Sequence, residues 1–147
     1  MSGRPLSLSR MTTALMIALP LLGGSLHARA AEPETVLKTT RSRDGTVYRS
    51  YPDSQPEITV LRYKIPEHSA LAWHTHPVIN AAYVVSGHIT VERRSDGKKR
   101  ELGPGEVLAE MVDAEHRGVT GDEPVELIVF YAGTPGVPLT VKAGKQN

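Results

Sequence analysis

Nowhere along this chain does an apolar period of 3.6 residues persist over three helical turns, so helices cannot supply the core. Apolar residues come instead in short runs rich in Val, Ile, Thr and Tyr. Such runs, bounded by turn residues, read as strands. The expected strands are 35–40, 46–51, 57–65, 71–76, 81–86, 88–93, 100–102, 106–111, 116–120 and 125–132. Explicit turns separate them. Ser95-Asp96-Gly97 is a hairpin signal of the Asp-Gly type. Gly103-Pro104-Gly105 and Gly121-Asp122-Glu123-Pro124 are further turns. Many short strands at this spacing predict an all-β antiparallel sandwich or barrel. With 147 residues, a single domain is expected.

The first thirty residues have a different character. Arg4 and Arg10 precede an apolar run from residue 11 to 26, broken by Pro20 and Gly23-Gly24, and Ala28-Arg29-Ala30 follows. A positive start, a short apolar middle and an A-x-A end predict a secretory signal peptide over residues 1–30, cleaved after Ala30. The run is too short and too interrupted for a comfortable bilayer span, so no stable membrane anchor is expected after cleavage. The expected location is the periplasm or the exterior. Residues 31–56 then form N-terminal strands or an arm, 57–132 a barrel, and 133–147 a C-terminal arm in which only 137–141 is apolar enough to pack.

Composition excludes several functions. Three of the 17 basic residues lie before position 31, leaving 14 against 16 acidic side chains, a net −2. Such a balance does not suit nucleic acid, which needs a concentrated basic face. The basic run at 93–100 spans a hairpin tip and reads as solvated. No cysteine is present, which removes disulfides, thiolate metal sites and thiol nucleophiles. There is no phosphate-cradling glycine loop and no Ser-His-acid order near the histidines.

What remains is histidine. In His74-Thr75-His76 the two imidazoles fall at i and i+2 of a strand and so share one face. A third, His116, follows the 106–111 strand and its turn. Three neutral imidazoles meeting inside a barrel would suit a divalent transition metal. Alternation over 106–111 sets Glu106, Leu108 and Glu110 on one side. If that side faces the lumen, Glu110 would sit across a tight turn from His116, as a ligand or a proton carrier; otherwise it is an exposed strand-end acid. Glu115 points the opposite way and reads as surface charge. Tyr63, Trp73 and Tyr83 are expected in the barrel core, His88 in solvent, and His68 in a turn.

The stretches from His74 to Gly87 and from Gly105 to His116 resemble the cupin superfamily, a resemblance that extends over residues 57–132. Its first motif runs Gly, five residues, His-x-His, three or four residues, Glu, six residues, Gly; here His74, His76 and Gly87 fall in register. Its second runs Gly, five residues, Pro-x-Gly, two residues, His, three residues, Asn; here Gly105 and His116 fall in register. His68 stands for the first glycine, Asn80 for the glutamate, Met111 for the proline, Asp113 for the later glycine and Thr120 for the asparagine.

The resemblance implies a double-stranded β-helix, or jelly-roll barrel, of the cupin type-2 kind. It implies a metal in the lumen on His74, His76 and His116. Asn80 replaces a charged ligand by a carbonyl oxygen, so Asn80 or Glu110 is left as the fourth ligand or as a group orienting water or substrate. Cupin-like thiol dioxygenases use three histidines on iron, and many exported single-domain cupins resemble quercetin dioxygenases. The expectation is a metal-dependent, dioxygenase-like enzyme on a small organic substrate, with Fe²⁺ as its ion and Zn²⁺, Ni²⁺, Cu²⁺ or Mn²⁺ as alternatives. The rivals are a non-catalytic periplasmic module that binds or senses a metal or small ligand and, more remotely, a sugar or uronate isomerase. A homodimer is expected, paired through the 35–40 edge.

Overall fold

The computed structural model describes residues 32–144, and its compact unit begins at Glu34. The expected signal peptide at 1–30 lies outside the described residues. Nine strands follow one another: β1 (Glu57–Ile65), β2 (His74–Thr75), β3 (Ile79–Ser86), β4 (Ile89–Arg93), β5 (Lys99–Leu102), β6 (Val107–Ala109), β7 (His116–Thr120), β8 (Val125–Gly133) and β9 (Val141–Lys142). No helix occurs among the described residues.

The strands form two antiparallel sheets, one in the order β1-β8-β3-β6 and the other β5-β4-β7-β2-β9. The chain crosses repeatedly between them, as a jelly roll requires. Alternation decides which residues go inside. In β8 it buries Val125, Leu127, Val129 and Tyr131; in β3 it buries Asn80, Ala82 and Val84. Ile89 and Val91 of β4 and Leu108 of β6 complete the packed interior.

Two glycines explain how closely the walls approach. Gly87 links β3 to β4 with φ of 73°, and a Cβ there would lie 2.2 Å from the Pro124 carbonyl oxygen. Gly118 sits in β7 against Ile89, where a Cβ would meet the Ile89 side chain at 2.7 Å.

His68 and Asp113, which stand where the resemblance calls for glycine, are the two described non-glycine residues with positive φ, at 51° and 59°. The backbone keeps the left-handed turn that glycine adopts freely. Each turn is held by a backbone bond: His68 N–H donates to Gly121 O and Asp113 N–H to His76 O. Thr120 is buried, accepts from Ser69 N–H at 2.9 Å and donates to Pro66 O at 2.6 Å, tying the loop before β2 to β7.

Several expectations need correction. The strands expected at 35–40 and 46–51 do not form; that stretch holds one isolated bridge, Arg41 to Val47. The turn between them is organised by a side chain. Asp44 accepts from Ser42 Oγ at 2.5 Å and Thr46 N–H at 3.1 Å, and from the Arg93 guanidinium of β4 at 3.0 Å. The strand expected at 71–76 shrinks to His74–Thr75, since His76 turns to a parallel bridge with Val112. Tyr83 is 40% exposed on the outer face. Trp73 lies on the face opposite His74, under the guanidiniums of Arg117 and Arg94 at 4.6 and 5.5 Å. In both cases alternation sends the neighbouring residue inward and the aromatic outward.

Candidate metal centre

Register brings the histidines together. In the second sheet His74 lies directly opposite His116 on β7, and opposite residues of an antiparallel pair project to the same face. His76 joins them one strand period later. Ring centroids are 4.9 Å apart for His74 and His76, 4.6 Å for His74 and His116, and 5.0 Å for His76 and His116. One ring nitrogen from each lies within 4.8 Å of the others.

Each imidazole is held by a backbone carbonyl. His74 Nδ1 bonds Ala72 O at 2.8 Å, His76 Nδ1 bonds Leu139 O at 2.8 Å, and His116 Nδ1 bonds Ala114 O at 2.7 Å. A carbonyl only accepts, so Nδ1 carries the proton in all three rings and Nε2 keeps its lone pair. A hydrogen bond from the far ring nitrogen to a carbonyl is what orients metal-binding imidazoles.

Glu110 is brought to the same point. It is buried just past β6, and its Oε2 lies 3.2 Å from His116 Nε2. The contact is close but not aligned as a hydrogen bond, and both atoms are buried without a partner. Asn80 is buried on the inward row of β3; its Nδ2 donates to Val78 O at 3.1 Å while its Oδ1 has no partner. The Asn80 carbonyl receives the Glu110 N–H at 3.1 Å, fixing these two residues side by side. Buried atoms left unsatisfied call for an ion or water. Lone-pair nitrogens and a carboxylate oxygen are donors a divalent cation accepts, so His74, His76, His116 and Glu110 fit a metal. Asn80 lines a different pocket, with Tyr48 and Phe130.

Burial and charge act differently on the four groups. Burial raises the Glu110 carboxyl, but the His116, His76 and His74 imidazoles outweigh it and hold the group below the ordinary range. Burial lowers His74 and His76, which favours the neutral, ligating form. Burial also lowers His116, but Glu110 more than reverses that and raises it.

The site opens into a cavity of about 280 Å³. Ile65, Leu71, Leu127 and Val129 form its apolar wall; Tyr63, Tyr131, Thr140 and Lys142 supply polar groups. The Tyr63 and Tyr131 hydroxyls are 3.3 Å apart, and Tyr131 stacks edgewise on His76 at 5.7 Å. A smaller pocket of about 50 Å³ is lined by His74, His116 and Glu110 together with core residues.

A family model for the cupin domain matches residues 61–131. The chain belongs to the cupin superfamily. The structural relatives are remote. One is the DMSP lyase DddQ from Ruegeria pomeroyi DSS-3, with a TM-score of 0.55 and 18% identity over 70% of this chain and 49% of that one. Another is the polyketide cyclase RemF from Streptomyces resistomycificus, at 0.53 and 19% over 61% and 63%. A third is the Lactobacillus farciminis oxalate decarboxylase, at 0.50 and 21% over 58% and 26%. The chain thus spans about half the length of the lyase. No curated protein matches it in sequence. Identities this low carry the fold and no activity.

Placed against the cupin site, the outlying candidates separate. His88 is exposed and paired with Glu123; His68 faces Asp122 at 3.7 Å; Glu115 pairs with Arg94 at 3.0 Å near the surface. None joins the three histidines. The structure also adds residues that sequence reasoning missed. Tyr48 of the N-terminal arm donates to Glu110 O at 2.7 Å. Burial, with Glu110 and Asp44 nearby, pushes its phenol up to about 12. Leu139 orients His76 through its carbonyl, and β9 pairs with β2. The apolar stretch 137–141 was the one signal for the second.

Proposed function

We propose that this protein is an exported cupin that holds one divalent transition metal on His74, His76 and His116 and acts on a small organic molecule as a dioxygenase-type enzyme. The observation that carries the reading is the tethering of all three Nδ1 atoms to backbone carbonyls, which leaves three Nε2 lone pairs converging beside an unsatisfied buried carboxylate. Glu110 is the fourth ligand or the proton acceptor beside the substrate, and Asn80 Oδ1 receives a hydrogen bond from bound water or substrate. A bound divalent ion supplies Lewis acidity, and Fe²⁺ in particular a route to O₂. The apolar wall excludes water and packs the substrate body. Burial raises the Tyr131 phenol, so its hydroxyl stays protonated and can donate a hydrogen bond to a bound molecule.

The structural neighbours carry lyase, cyclase and decarboxylase names, and that diversity selects no reaction. The test is metal content together with substrate-dependent oxygen uptake. Protein carrying a redox-active ion should consume O₂ when given a catechol, a flavonol or a thiol. A Zn²⁺-only protein without turnover on any of them supports the binding module instead.

Export and pairing belong to the same reading. Export is supported by residues 1–30; the exported protein should start after Ala30, and a retained Met1 contradicts it. A homodimer is supported by outward apolar residues in one register, with Val60 opposite Phe130 and Ile58 nearby. A single-chain mass by sedimentation at micromolar concentration contradicts it.

A further inference from the structure

One cation stands in the row that carries the histidines. β2 lies between β7 and β9, with His74 opposite His116 on one side and opposite Lys142 on the other. Opposite residues share a face, so the Lys142 stem leaves the sheet on the same side as two of the three imidazoles. Lys142 also lines the cavity of about 280 Å³ whose lining includes His74, His76 and Glu110. Every described ion pair involves other residues, and Lys142 has no carboxylate partner among the described residues.

Charge and shape then define what the cavity accepts. Three neutral imidazoles contribute no charge, Glu110 contributes −1, a divalent ion +2 and Lys142 +1. The surplus is positive. Moving an anion into a part-buried site of surplus positive charge is favoured by Coulomb attraction at reduced dielectric. Part of the cavity lining is aliphatic, formed by Ile65, Leu71, Leu127 and Val129. The volume lies at the small end of ligand pockets.

We propose that Lys142 anchors the carboxylate of a small, apolar-bodied organic acid whose other end reaches the three imidazoles. The inference deepens the metal reading, from which it takes the charge surplus; the register and the cavity stand without it. Lys142 is here a specificity residue, holding a part of the substrate away from the reacting end. The ordered C-terminal strand β9 exists in the fold to deliver it, along with the Leu139 carbonyl that holds His76.

The experiment titrates propionate, benzoate and their two amides into full-length protein loaded with one equivalent of Zn²⁺, by calorimetry, with metal content measured on the same samples. At least one acid should bind about tenfold tighter than its amide, in line with a charge-assisted contact. Lys142→Met should abolish that difference without changing amide affinity or metal load, and Lys142→Arg should keep most of it. Because Lys142 is exposed, the fold should tolerate both, and the Arg variant reads the charge if the Met variant does not fold. Acid and amide binding alike to the wild type, no acid binding at millimolar concentration, or a Lys142→Met protein that still prefers the acid each overturns the proposal. Failure to take up Zn²⁺ while the acid preference persists would overturn the metal reading and leave this one standing.

Discussion

At the scale of single residues, the site is built from atoms that have nothing else to bond. Glu110 is the sharpest case: a buried carboxylate oxygen facing an imidazole nitrogen at 3.2 Å without a hydrogen bond between them. Glu110→Gln keeps the shape and removes the charge. Metal affinity, read by competition with a chelator, should fall by about ten- to a hundredfold. Unchanged affinity and activity would make the residue a bystander. His68 shows the opposite economy. Its positive φ costs a residue with a Cβ about 1 kcal/mol, and the side chain is exposed and faces Asp122 at 3.7 Å. His68→Gly should therefore stabilise the protein by up to about 1 kcal/mol in denaturant melts, reduced by the greater freedom glycine has in the unfolded chain. A loss of stability would show that the histidine has a role of its own.

At the scale of elements, the long strands were readable and the arms were not. In Glu57–Ile65 and Val125–Gly133 burial alternates because one face of each packs on the core while the other meets solvent. Ile58, Val60 and Phe130 nevertheless keep the outer row apolar, so β-branched and aromatic content marks these strands more than polarity does. The N-terminal arm carries the same Val, Thr and Tyr content, yet it is held by Asp44 and Tyr48 reaching distant partners rather than by a ladder. Side-chain clasps leave no period in a sequence. β9 is two residues long, too short for any pattern, although it completes the sheet beside His74.

Asp44 gives this element a pH dependence. Burial raises its carboxyl, but hydrogen bonds from Ser42, Thr46 and Arg93 outweigh that and bring it to about 2. The folded value lies below the unfolded one, so the stabilisation is complete above about pH 4 and is lost as pH falls toward 2. Thermal stability of the wild type should drop more steeply over that interval than that of Asp44→Asn. Parallel curves would contradict the clasp.

For the whole molecule, the three histidines were legible in type and spacing because strand alternation dictates a shared face for His74 and His76. Their convergence with His116 needed the β2–β7 register, which only the folded sheet supplies. The same register explains why neither arm is ornamental: one reaches the backbone of Glu110 through Tyr48, the other holds His76 through Leu139. The jelly roll thus acts as a scaffold on which segments far apart in sequence aim lone pairs at one point.

Elemental analysis of the wild type, His116→Ala and His88→Ala, each purified from the native host and dialysed alike, tests that convergence most directly. One divalent transition metal per chain is predicted for the wild type and for His88→Ala, whose ring lies outside beside Glu123, and at least a tenfold loss for His116→Ala. Equal metal content in all three would contradict it.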